Sequence, residues 1–237
     1  MQKVIVIGAT SGMGRGLAAL YADKGSRVGI VGRRENLLRE LYLQHTDRYI
    51  YKIGDVTHSS VNGLLDTLYQ ELDGLDLLII SAGAGEENMQ LEYKLEEPAI
   101  YTNVVGFTNI IDWGYKIFEK QGKGHLVVIS SIAGIRGSGG APAYNASKAY
   151  QINYTEGLRQ KAFKQRLPIA ITDVRPGFVD TAMAKGDGLF WVAPLDKAVR
   201  QIYQAILKKK KIVYVSKRWR YVALLLRLIP TSVYCRM

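Results

Sequence analysis

One cysteine, three histidines and six prolines in 237 residues remove several classes of protein at the outset. Cys235 has no second cysteine to pair with, so an intrachain disulfide is excluded and a reducing compartment suits the chain. His45, His58 and His125 are scattered without ligand spacing, which argues against a metal site. No apolar run approaches the ~20 residues that a membrane-spanning helix needs. The apolar run near Val4 is too short for a signal peptide and ends at Gly8, so a cytoplasmic protein is expected. Pro/Gly/Ser linkers, low-complexity tracts and repeats are also missing, and one domain of ordinary size accounts for the length. Negative charge is scarce. Twenty-one Asp and Glu face 32 Lys and Arg, and much of the net +11 falls near the carboxyl end.

Apolar residues make up 48% of the chain, enough for a real core. Short, largely β-branched runs (Lys3–Ile7, 28–31, Tyr49–Ile53, 75–80, 125–130, 169–174 and Ile212–Val215) alternate with helical stretches of ten or more residues. That alternation predicts an α/β fold of the Rossmann type: a doubly wound parallel sheet of about seven strands, helices on both faces, and a nucleotide across the carboxyl ends of the strands.

The first run leads directly into Gly8-Ala9-Thr10-Ser11-Gly12-Met13-Gly14 and then a helical pattern. Strand, glycine turn and helix together aim backbone N–H groups and a positive helix end at a phosphate. Gly8 and Gly12 would let the backbone turn and approach a pyrophosphate, and Gly14 would let helix pack on strand. The spacing differs from the common Gly-x-Gly-x-x-Gly fingerprint. Farther along, Tyr144 and Lys148 stand four apart, which places them on one helical face. An ammonium near a phenol favours the phenolate and brings a tyrosine toward use as a general acid or base. Ser131 lies thirteen positions before Tyr144. In a strand Ser130 and Ser131 would face opposite ways, so only one meets a substrate.

Taken together, the glycine turn, Ser131 and Tyr144-x3-Lys148 resemble the short-chain dehydrogenase/reductase family. Four more segments fall in that family's order: Gly54-Asp55-Val56, Ser81-Ala82-Gly83, Asn103 in Tyr-Thr-Asn-Val-Val-Gly, and Pro176-Gly177-Phe178-Val179-Asp180-Thr181. The resemblance spans roughly residues 1–215. It implies that Tyr144 transfers a proton to or from a carbonyl oxygen, Ser131 holds that oxygen, Lys148 serves the phenol and the nicotinamide ribose, and Asn103 anchors a relay water. It further implies coenzyme contacts at Gly8, Thr10, Ser11, Gly12, Met13 and Gly14, at Asp55 and Val56 beside the adenine, at Ser81, Ala82 and Gly83, and at Pro176, Gly177, Val179 and Thr181. Ser81 stands where the family usually has asparagine. A serine hydrolase is disfavoured, since no Gly-x-Ser-x-Gly elbow is present.

Coenzyme choice rests on the end of the second run, Gly32-Arg33-Arg34-Glu35. An NAD enzyme places a carboxylate there; here glycine and two arginines point to NADP(H) over NAD(H). Arg33 can fork onto a 2′-phosphate, and Arg34 can stack on adenine or support it; alternatively both are solvated charges opening the next helix. Glu35 is close enough to pair with either.

Between Thr181 and Leu195 the segment that would cover a substrate is short, and carries Met183, Leu189, Phe190 and Trp191, favouring a small-molecule substrate with an apolar part. Residues 1–216 are assigned to the catalytic domain and 217–237 to a basic helical tail. In residues 217–229, Trp219, Val222, Ala223, Leu226 and Ile229 share a face, Arg220 and Arg227 lie on another, and Pro230 ends the helix. That face could pack on the domain, form a homodimer or homotetramer interface, or lie on anionic lipid. No recognition motif accompanies the charge, so nucleic acid is not expected. The expected activity is interconversion of a carbonyl compound and its alcohol. The rival readings are a membrane-surface reductase of a lipid ketone and a catalytically silent nucleotide-binding regulator.

Overall fold

A computed structural model describes residues 1–184 and 189–236. Seven strands form one sheet in the order β3-β2-β1-β4-β5-β6-β7: β1 (Lys3–Ile7), β2 (Arg27–Gly32), β3 (Tyr49–Ile53), β4 (Leu77–Ile80), β5 (Gly124–Ile129), β6 (Ile169–Pro176) and β7 (Ile212–Val215). Every neighbouring pair is parallel. The helices are α1 (Gly12–Asp23), α2 (Glu35–Tyr42), α3 (Val61–Leu72), α4 (Tyr93–Ile100), α5 (Phe107–Gln121), α6 (Pro142–Lys164), α7 (Leu195–Leu207), α8 (Trp219–Leu228) and α9 (Thr231–Tyr234).

The β-branched runs read as strands because both faces of the sheet are covered, so no polar alternation is needed. In β1, Val4 and Val6 join a core with Leu17, Tyr21, Leu38 and Ile202. Ile5 and Ile7 point the other way, to Leu65, Leu68, Phe107 and Phe118. One strand thus feeds both halves of the interior. The fourth strand is shorter than its apolar run because Gln121 bonds the N–H and carbonyl of Leu75 in place of a strand partner.

Strand order reverses between β1 and β4, which opens a crevice at their carboxyl ends. Two departures from regular structure border it. Residues Tyr101–Gly106 form a π-helical turn between α4 and α5, and Ile132–Ile135 form a short 3-10 helix after β5. Widened π-helical turns are often found at functional sites.

In the tail, α8 turns Trp219 and Ala223 into the protein and leaves Tyr221, Leu224, Leu225 and Leu228 exposed. Arg136 fastens it: Nη1 donates to the carbonyls of Leu226 (2.9 Å) and Ile229 (2.8 Å). The guanidinium also lies 4.4 Å from the Tyr234 ring centroid. Among the described residues, no helix is long and apolar enough to cross a membrane.

Candidate active site

The crevice is an open cleft of about 200 Å³. Its floor is the glycine turn after β1. Gly8 has φ +85, and a Cβ there would sit 2.5 Å from Ala82 N; a Cβ on Gly14 would sit 2.2 Å from Gly8 O. Both positions therefore require glycine. Thr10, Ser11, Gly12 and Met13 line the cleft from this side, and Ser81, Ala82 and Gly83 line it from the end of β4. Thr181 closes it near Gly12, with Cγ2 3.5 Å from where a Cβ would stand. The other members of that turn lie elsewhere. Val179 is in the core, bridged to Ala193, Pro176 ends β6, and Gly177 is covered by Trp219.

At the far wall β2 ends in Gly32, where a Cβ would stand only 2.5 Å from Thr10 Cγ2. A carboxylate side chain has no room at that position. Arg34 instead reaches back across the cleft, donating to Thr10 Oγ1 and Ser11 Oγ at 2.7 Å each. Arg33 is largely exposed and lies 3.6 Å from Asp55 Oδ2, so Asp55 takes the pairing expected of Glu35. Partial burial opposes the charge of Asp55. Hydrogen bonds from Thr57 N (2.9 Å) and Oγ1 (2.8 Å), with Arg33, outweigh that and hold its carboxyl below the usual range. Val56 completes this wall. A glycine cradle that only backbone can approach, with two arginines and two hydroxyls where a carboxylate would otherwise stand, fits a phosphate-bearing dinucleotide.

Ser131, Tyr144, Lys148 and Asn103 do not line the cleft; they form a cluster beside it, behind Gly83. Ser130 and Ser131 follow β5 and part company: Ser130 Oγ donates into the sheet, to Asp173 Oδ1 and to Val174 O. Ser131 turns toward Tyr144, near enough to pull on its phenol, while its Oγ accepts from Ala133 N at 3.1 Å. The strand ends at Ile129, so the divergence comes from the turn rather than from strand alternation.

Tyr144 lies near the start of α6, under the loop that follows β4; a Cβ on Gly85 would meet its ring at 2.1 Å. Burial pushes its phenol up, and the Ser131 hydroxyl pulls only partly back. This corrects the expectation that Lys148 brings the phenol toward neutrality. Lys148 Nζ stands 5.8 Å from the ring centroid and spends two of its donors elsewhere, on Ile129 O (3.2 Å) and Gln151 Oε1 (3.1 Å). Burial lowers the ammonium to about 8, against the pull of Asp173.

Asn103, in the π-helical turn, is fully buried. Its side chain accepts from Ala84 N (3.0 Å) and donates to Ala84 O (2.6 Å) and Ser147 Oγ (2.9 Å). It thereby ties the loop over Tyr144 to the helix that carries Tyr144. Two buried groups and one half-buried residue were not foreseen: Gln151; the Asp173–Arg175 ion pair at 2.6 Å beside Ser130; and the half-buried Arg136. Gln151 sits three positions after Lys148, and that spacing is the one signal that could have marked it.

Beyond Tyr144, Phe178, Phe190, Trp191 and Trp219 form a cluster of edge-on and tilted rings, with Phe190 and Trp219 centroids 5.0 Å apart. Residues 185–188, part of the covering segment, lie outside the described residues.

A family model described as short chain dehydrogenase matches residues 2–188. The chain belongs to that family of oxidoreductases. Among its relatives, an uncharacterised oxidoreductase of Mycobacterium tuberculosis (strain ATCC 25618 / H37Rv) is 34% identical over 191 residues, covering 77% of this chain and 75% of the relative. An uncharacterised oxidoreductase of Myxococcus xanthus is 34% identical over 188 residues, covering 77% and 74%. A short-chain dehydrogenase structure from Streptomyces avermitilis aligns with a TM-score of 0.81 at 21% identity, covering 96% of this chain and 92% of that one. The closed form of serine dehydrogenase complexed with NADP+ aligns at 0.82 and 23%, covering 90% and 94%. At such identities the structures speak for the shared fold alone. This short-chain dehydrogenase accordingly has the Rossmann-like sheet with helices around it.

Proposed function

We propose that the protein is an NADP(H)-dependent oxidoreductase interconverting a carbonyl compound and the corresponding alcohol, acting through Ser131, Tyr144, Lys148 and Asn103. The observation that carries this reading is the meeting of Ser131 and Tyr144 beside a buried Lys148, next to a cleft floored by a glycine turn. The coenzyme would be held by the Gly8–Gly14 turn, by Arg33 and Arg34 at its 2′-phosphate, by Asp55 and Val56 near the adenine, by Ser81–Gly83, and by Thr181. When bound, it supplies or accepts the hydride.

The chain's own residues do the rest. Tyr144 gives its phenolic proton to the carbonyl oxygen in reduction and removes it in oxidation. A phenol raised by burial is fully protonated near neutral pH and ready to donate. Ser131 donates to the developing alkoxide. Lys148, held by Ile129 O and Gln151, keeps a third donor for the nicotinamide ribose. Asn103 holds the loop that seats the Tyr144 ring. NADP(H) is favoured over NAD(H) because Gly32 leaves no carboxylate to repel a 2′-phosphate, and Arg34 is anchored on the two hydroxyls that face it. The aromatic cluster around Trp219 favours a substrate with an apolar part.

The test is a screen of carbonyls graded in size and polarity, following NADPH absorbance in wild type and Tyr144→Phe. Turnover by wild type and its loss in the variant are expected. Tight NADPH binding with no turnover of any carbonyl would instead mark a silent nucleotide-binding regulator.

A second observation favours attachment of this enzyme to an anionic membrane surface through 217–229, where a lipid ketone would be at hand. Residues 197–237 hold eleven Lys and Arg and no Asp or Glu, so the whole excess of +11 lies there. Tyr221, Leu224, Leu225 and Leu228 of α8 are each more than half exposed beside Arg220 and Arg227. Cosedimentation with phosphatidylglycerol vesicles, weaker with phosphatidylcholine and lost in Leu224→Ser/Leu225→Ser/Leu228→Ser, is expected. A chain that stays in the supernatant at low salt ends this reading. If the unmodified chain is a dimer and the triple variant a monomer, the face is a subunit interface.

A further inference from the structure

We infer that Gln151 is a positioning residue for the site proposed above, a fixed amide strut that holds the Lys148 ammonium and aims its remaining donor at the cleft. The geometry rests on two hydrogen bonds. Gln151 Oε1 accepts from Lys148 Nζ at 3.1 Å, and Gln151 Nε2 donates to Asn103 O at 3.0 Å. The two partners fix which way the amide faces, since a lysine only donates and a carbonyl only accepts. Gln151, Lys148 and Asn103 are all buried, at 1%, 3% and 0% exposure, so water does not compete for these bonds.

The strut explains three features at once. A buried glutamine amide needs partners at both ends, and here it has them. The carbonyl it grips belongs to the π-helical turn at Tyr101–Gly106, which brings Asn103 O toward α6. Lys148 has three N–H donors; one goes to Ile129 O and one to Gln151, leaving the third. The open side is marked by Gly83, which lines the cleft and has no side chain: a Cβ there would stand 3.3 Å from Nζ.

Asn103 therefore reaches Lys148 through a protein amide, and the connection is neutral and does not titrate. Its acceptor end favours the charged form of the lysine. The ionisable groups facing Lys148 are Tyr144 on the same helix and Asp173 on β6, itself paired with Arg175 and bonded by Ser130. Gln151 is thus the neutral member of a site whose other neighbours carry or gain charge.

The inference rests on the reductase reading only for its catalytic consequence, and the test separates the two. In full-length protein labelled at lysine 13Cε, the Lys148 signal is assigned by its loss in Lys148→Met and titrated without coenzyme. Gln151→Leu removes the acceptor and should lower the Lys148 midpoint by about one pH unit; Gln151→Glu puts a carboxylate there and should raise it by about as much. The alkaline limb of kcat should move in the same two directions, while NADPH binding by fluorescence shows that each variant is folded. A role confined to packing predicts no opposed shifts. A Lys148 midpoint that stays put in Gln151→Glu overturns the proposal, even if Gln151→Leu fails to fold. Opposed midpoints in a protein that reduces no carbonyl leave the strut standing and remove the reductase reading.

Discussion

The cleft and the buried cluster beside it are built from different materials. The floor of the cleft is backbone: Gly8 and Gly14 are there because a Cβ would strike a main-chain atom. Its charged side chains, Arg33 and Arg34, reach in from the rim. The cluster around Tyr144 is the reverse, a set of buried side chains, Lys148, Gln151, Asn103 and Ser131, bonded to one another or to the backbone. Shape dominates the first and proton positions the second. A ligand's phosphates need a surface that approaches closely, whereas a proton transfer needs groups whose ionisation is set by burial.

Four substitutions press on that contrast. Tyr144→Phe should reduce kcat by about 10³-fold or more, with NADPH affinity nearly unchanged, as checked by turnover and fluorescence titration. Equal losses in both measurements would show cleft and cluster to be one. Gly14→Ala should do the opposite, weakening NADPH by about 100-fold and lowering Tm, because the added methyl meets Gly8 O at 2.2 Å. Arg34→Ala should cost NADPH about tenfold and NADH much less; an equal penalty for both coenzymes would remove the phosphate contact.

The last test concerns stability. Lys148 titrates at about 8 in the folded chain, below its ordinary value of 10.5, because its charged form is desolvated. Between those values the unfolded chain binds the extra proton, so stability rises with pH across that window and the ammonium is a burden below it. Lys148→Met should therefore compare best with wild type near pH 7 and lose up to ~3 kcal/mol of that relative advantage by pH 10.5, measured by urea denaturation. His125, held at about 4 by burial, gives an effect of the same sign and similar size, its contribution falling away as pH drops below 6.5.

The same contrast explains what could be read in the residues. Strands buried on both faces announce themselves as β-branched runs, and the sheet follows from their alternation with helices. Glycines forced by close approach leave a spacing, as do two residues on one helical face. The rest depends on distance in space. Arg34 crosses to Thr10 and Ser11 over more than twenty positions, and Gln151 meets Asn103 over 48. The Asn103 carbonyl faces Gln151 because of a π-helical turn that no local pattern marks. The expected pull of Lys148 on the phenol fails for a similar reason, since burial beneath Gly85 is a property of the folded loop.

Trp219 packs onto Gly177 so closely that a Cβ there would lie 2.0 Å from its ring. The indole touches Phe178 and Phe190 as well, with Trp191 at 6.2 Å. Trp219 is thus an optical reporter at the contact between α8 and the loop leaving β6. Its emission should change whenever either of them shifts, which gives a label-free readout of how the tail sits on the sheet.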